Sequence, residues 1–111
     1  MESTRQKKIS RLLQKELAII FQKEAPSLLG NFMYTVTTIR VSSDLSVAKV
    51  FLSIFPSKES HEVIRQAKKK APFFRNLLAK KVRYQLRIIP ELHIFLDDSA
   101  DYTDEIDRLL K

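Results

Sequence analysis

The chain has 111 residues, 44% of them hydrophobic and 30% charged, with one glycine and four prolines, which fits a single globular domain and excludes low-complexity disorder. It contains no cysteine, so a disulfide framework and a cysteine-type zinc site are both excluded. A formal charge of +7 and a sequence pI of about 9.8 point to an acidic polymer or acidic surface as partner.

The charge is segregated. Between residues 63 and 90 stand Arg65, Lys68, Lys69, Lys70, Arg75, Lys80, Lys81, Arg83 and Arg87 without a single acid. Beyond residue 90 the balance reverses, with Glu91, Asp97, Asp98, Asp101, Asp104, Glu105 and Asp107 against Arg108 and Lys111. The longest apolar run near the start, "LAIIF", is too short for a signal core or a spanning helix and is closely flanked by charge. A cytoplasmic location is therefore expected.

From Thr4 to Glu24, Ile9, Leu12, Leu13, Leu17, Ile20 and Phe21 recur at three- and four-residue spacing, which predicts an amphipathic helix capped by Ser3 or Thr4. The stretch "APSLLGN", with a proline and the only glycine, is expected to end it. Two β-branched and aromatic segments follow, "FMYTVTTIRVS" and "SVAKVFLSIF". In the second, Ala48, Val50, Leu52 and Ile54 alternate with Val47, Lys49, Phe51 and Ser53. The polar link from Ser42 to Leu45 suits an antiparallel hairpin.

A second helix is predicted from "PSKES", with Ser57 as N-cap and Val63, Ile64 and Ala67 as its apolar residues. It breaks at Lys70, Ala71 and Pro72, because proline disfavours helical geometry before it and suits the first position of a new helix. Phe74, Leu77, Leu78 and Val82 form the stripe of that new helix, with Phe73 and Tyr84 at its margin. Helical spacing assigns Phe73 and Phe74 to core packing in preference to base stacking. After a linker ending at Pro90, "LHIFL" alternates as a third strand. Ile106, Leu109 and Leu110 then allow one short helix in acidic surroundings.

The expected class is α+β, in the order α-β-β-α-α-β, with a three-stranded sheet covered on one face by helices and a helix-kink-helix near Lys70–Pro72. Residues 1–98 would form the domain and residues 99–111 an acidic C-terminal tail. That tail serves solubility on the plainer reading and competes with RNA for the basic face on the sharper one.

This order is that of a type II KH-like fold. In "RQKKISRLLQKELAIIFQKE", "VSSDLSVAKVFLS", "FFRNLL" and "LRIIPELHIFLDDS" the sequence carries a resemblance, over about residues 5 to 98, to the ribosome-binding factor A family. It implies a non-enzymatic assembly factor that binds the small (30S) ribosomal subunit and its precursor through 16S rRNA, assists late maturation and matters for growth in the cold. Assembly GTPases and other maturation factors are partners implied in the same way, and the chain is expected to be a monomer.

Common KH domains hold single strands with a Gly-x-x-Gly loop, which this chain lacks, since Gly30 lies elsewhere. The family has an Ala-x-Gly kink instead, and the corresponding positions here read Lys70-Ala71-Pro72. The break is expected to re-aim one helix so that cations of both face RNA phosphates. Arg75, Lys80, Lys81, Arg83 and Arg87 lead the candidates, with Lys68, Lys69 and Lys70 beside the kink and Arg5, Lys7, Lys8 and Arg11 as an extension.

A KH-like module acting mainly through a protein partner is the alternative reading. Membrane binding would need a freely exposed apolar helix face, whereas these stripes look committed to a core. His61, His93, Asp97 and Asp98 make a poor metal set, no nucleophile–base pair can be assembled, and neither a cofactor nor catalysis is expected.

Overall fold

The computed structural model describes residues 3–97. Asp98 and the expected acidic tail and short helix of residues 99–111 lie outside them. The elements are α1 (Thr4–Leu29), β1 (Met33–Val41), β2 (Val47–Phe55), a 3-10 turn over Ser57–Glu59, α2 (Ser60–Lys69), α3 (Ala71–Val82) and β3 (Glu91–Leu96). This is the expected type II KH-like order.

The sheet runs β1-β2-β3, with β1 antiparallel and β3 parallel to the central β2. Strict alternation decides its two faces. Ala48, Val50, Leu52 and Ile54 of β2 and Leu92 and Ile94 of β3 are buried under the helices, while the intervening residues point away. The helices contribute Ile9, Leu13, Leu17, Ile20 and Phe21 from α1, Val63, Ile64 and Ala67 from α2, and Phe74, Leu78 and Val82 from α3 to one continuous core. At its centre Phe21 and Phe74 stack with ring centroids 4.5 Å apart, tying α1 to α3.

Polar groups of α1 complete the sheet. Ser3 and Gln6 form a reciprocal capping box at its start. The Gln6 amide also reaches the Val41 carbonyl at 2.9 Å. Further along, Gln14 donates to the carbonyls of Val36 (3.1 Å) and Thr37 (3.2 Å), at the bulge where β1 slips register between Val36 and Thr38. A bulge leaves ladder groups unmatched, and Gln14 supplies the missing donor.

Three local expectations change. Helix α1 does not stop at Glu24 but continues through Pro26 to Leu29 and ends at Gly30. Proline has a helical φ and forfeits one amide bond, while Ala25 in this last stretch is buried and Leu28 and Leu29 pack against the core. Gly30 is needed at the exit, where φ is 120° and an added Cβ would lie 2.7 Å from the Phe32 ring. Ser57 does not cap α2, because a 3-10 turn intervenes and Glu59 takes the N-cap position without a side-chain bond. Pro72 is the second residue of α3, since Ala71 is already helical.

The hairpin does form as expected. Leu45 adopts a positive φ of 64°, and the Asp44 carboxylate accepts from the hydroxyls of Ser42 and Ser46, each at 2.7 Å. Those bonds lower the Asp44 pKa to about 2.

Candidate nucleic-acid interface

The kink is one residue long. Lys70, at φ −98° and ψ 10°, ends α2 and precedes α3, yet its amide still reaches the carbonyls of Gln66 (3.2 Å) and Ala67 (3.0 Å). Its own carbonyl accepts from the Phe74 amide at 3.1 Å. The two helices therefore change direction without orphaning Lys70's backbone groups, and Pro72 stands where no donor is required.

The candidate cations fall into two neighbourhoods. Gln6 bonds to the last residue of β1, and the Glu91 amide bonds to the Ser46 carbonyl at 2.8 Å, so the start of α1 and the start of β3 share the hairpin end of the molecule. Arg5, Lys7, Lys8 and Arg11 are exposed on the first half of α1, and Lys80, Lys81, Arg83 and Arg87 are exposed on the last turn of α3 and the linker that follows it. Asp44 at the hairpin tip is an acid of that region.

The second neighbourhood follows β3. Lys68 and Arg75, with Ala71, Pro72 and Asn76, form one wall of a groove of about 720 Å³ whose other wall is Glu91 to Phe95. No strand pairs with the outer edge of β3 among the described residues. Lys69 is exposed beside the kink and Lys70 half-buried within it. The groove has no counterpart in the sequence reading, because it is created by where the crossover places the kink relative to the last strand.

Arg75 has a second engagement that the sequence did not reveal. Its guanidinium donates from Nε to the Pro90 carbonyl (3.1 Å) and from Nη2 to the Ile89 carbonyl (2.8 Å). Two of its donors therefore hold the linker into β3 and are not free for phosphate. Arg65, counted with the basic segment, pairs with Glu62 at 2.8 Å on an exposed surface.

The aromatics divide. Phe74 is fully buried, as expected, but Phe73 is 42% exposed and only meets Phe74 edge-on at 5.7 Å between centroids. Core packing is thus wrong for Phe73, because the adjacent position on the helix points 100° away from the stripe. Tyr84 lies past the end of α3 with 87% exposure, and the Arg83 guanidinium sits over its ring at 4.8 Å.

His61 and His93 are exposed, and no group of three or more His, Cys, Asp or Glu suited to a metal is found among the described residues. The Asp97 carboxylate instead accepts a hydrogen bond from the Thr37 hydroxyl. No helix among the described residues is long and apolar enough to cross a membrane.

A kinked helix pair over a three-stranded sheet, with exposed cations at both the kink and the hairpin end, is an arrangement with known relatives. The family model for ribosome-binding factor A matches residues 5–110. The chain belongs to the ribosome-binding factor A family. A curated member from Cytophaga hutchinsonii is 44% identical over 110 residues, covering 99% of this chain and 83% of that protein. One from Flavobacterium psychrophilum is 39% identical over 111 residues, covering 99% and 85%. Among solved structures, ribosome-binding factor A from Thermus thermophilus superposes with a TM-score of 0.66 at 24% identity, over 82% of this chain and 94% of that one. A Thermus thermophilus ribosome-binding factor A model fitted into a cryo-EM map of a 30S complex gives 0.65 at 27% identity, over 80% and 91%.

Proposed function

We propose that this protein is a cytoplasmic assembly factor that binds the small ribosomal subunit and its precursor through 16S rRNA during late maturation. The observation that carries the reading is the acid-free basic segment of residues 63–90, displayed on a kinked helix pair within a chain of the ribosome-binding factor A family. The family relative fitted into a map of a 30S complex supports the choice of partner.

The mechanism is differential binding without bond breaking. Exposed cations on α1, α3 and the linker can bridge phosphates that are close in one rRNA arrangement and separated in another. A ligand that prefers one arrangement shifts the population toward it by its difference in affinity. With about five phosphate contacts on single-stranded RNA, the salt slope is about −3.5, or roughly a hundredfold loss of affinity between 50 and 200 mM salt. Late action, a contribution to growth in the cold, and contact with assembly GTPases and other maturation factors belong to the same proposal.

Sedimentation of lysate on sucrose gradients tests it. Co-migration with small subunits, enriched on precursors and stripped by salt, is the expected result. A protein confined to light fractions at both salt concentrations would overturn the ribosomal assignment and favour a separate protein partner.

A further inference from the structure

The face of the sheet turned away from the helices is not used in the reading above. The register β1-β2-β3 sets two rows of side chains across it. One row is Thr38, Phe51 and Phe95, and the next is Arg40, Lys49 and His93. Phe51 and Phe95 are partly exposed and stack on one another, 5.5 Å between centroids with an interplanar angle of 25°. All three residues of the second row are exposed. From the edge, Lys68 of α2 places its ammonium 5.6 Å from the centre of the Phe95 ring.

Phe51 and Phe95 belong to the solvent-side set of their strands, where alternation would ordinarily place polar residues. Both rings are partly exposed on a surface where Arg40 and Lys49 supply positive charge from the neighbouring row and Lys68 lies over the Phe95 ring. The acids bordering β3 stand at its two ends, with Glu91 3.6 Å from the His93 imidazole and Asp97 held by Thr37. A neutral apolar partner would have no use for the cations, and a purely electrostatic phosphate contact would have none for the rings. Their combination fits a strand with unstacked bases along a charged backbone.

We infer that this open sheet face is a platform for single-stranded RNA, with bases extending the Phe51–Phe95 stack and phosphates held by Arg40, Lys49 and Lys68. The inference rests on the RNA-binding reading above and gives it a second contact surface, separate from the helix and linker cations. Double-stranded RNA keeps its bases stacked internally and cannot use the rings. The platform therefore discriminates in favour of unpaired segments.

The test titrates the full chain with a fluorescent single-stranded octauridine and, separately, with a fluorescent duplex of similar charge. A Phe51→Leu, Phe95→Leu variant keeps the apolar bulk and removes the π-faces. It is expected to weaken octauridine binding at least about fivefold, the lower end of base-stacking losses, and to leave duplex binding within about twofold. Arg40→Gln, Lys49→Gln changes only exposed residues, so folding is preserved, and it is expected to weaken octauridine in low salt by a similar factor. Lys80→Gln, Lys81→Gln should weaken both probes together. Unchanged octauridine affinity in the leucine and glutamine sheet variants, with the Lys80 and Lys81 variant impaired, overturns the platform but leaves the proposed function standing. Loss of a ribosomal protein from the leucine variant's complexes, with octauridine affinity unchanged, overturns it in favour of protein docking. Sheet-dependent octauridine binding by a chain that never sediments with small subunits would uphold the platform and refute the ribosomal reading.

Discussion

Replacing Arg75 with glutamine separates the two roles that this residue can have. In the fold its guanidinium carries two carbonyl hydrogen bonds, at 3.1 and 2.8 Å, that hold residues 89 and 90 against α3. Pro90 is among the most deeply buried residues, so its carbonyl has poor access to replacement water. Bonds from a charged donor contribute about 1.5–3 kcal/mol each, and half-exposure of Arg75 places each at or below the bottom of that range. Glutamine can recover at most one of them. The expected loss is about 1–2.5 kcal/mol, which for a domain of this size lowers Tm by roughly 5–15 °C. Thermal unfolding followed by circular dichroism, with urea titration for the free energy, measures it. Arg75→Lys should be nearly as damaging, because one ammonium cannot match two carbonyls in fork geometry. The reasoning is refuted if Arg75→Gln unfolds at the parent temperature while losing as much RNA affinity as Lys80→Gln.

Other expected outcomes concern titration and the kink. Burial raises the Tyr34 pKa to about 12, while its hydroxyl donates to the Gly30 carbonyl at 2.7 Å. The unfolded phenol ionises near pH 10, so the contribution is complete below that pH and is lost as pH rises toward 12. Tyr34→Phe should cost about 1 kcal/mol at neutral pH, from the lost hydrogen bond, and flatten the alkaline limb of the stability curve. For Asp44, held by Ser46 and Ser42 and lowered to about 2, stability is present above the ordinary carboxyl pKa and lost as pH falls toward 2. Carbon-detected NMR titration should place its midpoint near 2, and Ser46→Ala should raise it. Pro72→Ala should keep the kink, because Lys70's bonds define it, and should cost less than about 1 kcal/mol through the entropy of the unfolded chain. A straightened helix pair in residual dipolar couplings of that variant would show that proline itself makes the bend.

What could be read from sequence followed periodicity. The alternation of β2 and the spacing of Ile9, Leu13, Leu17, Ile20 and Phe21 fixed which faces are buried, since a side chain's direction is set by the element it occupies. The end of α1 was not legible, because a proline's local cost is small beside the burial of Ala25 and the packing of Leu28 and Leu29. Cation density was visible, but cation availability was not. Arg75 and Lys81 look alike in a string of letters, and only the path of the linker distinguishes a guanidinium bonded to carbonyls from an exposed ammonium. The groove and the aromatic row on the open sheet face were equally hidden, because both depend on β3 pairing parallel to β2 in one particular register.

That parallel pairing also bears on when the protein acquires its binding surfaces during synthesis. The β1–β2 hairpin and α1 can meet as soon as residues 3–55 have left the ribosome, since their contacts are close in sequence. Strand β3 closes only after residues 56–90 have crossed over. One wall of the groove and one of the two stacked rings arrive with β3. A nascent chain short of residue 97 therefore has basic helices but an unfinished groove and a solitary Phe51, so both features are completed only by the last strand to join the sheet.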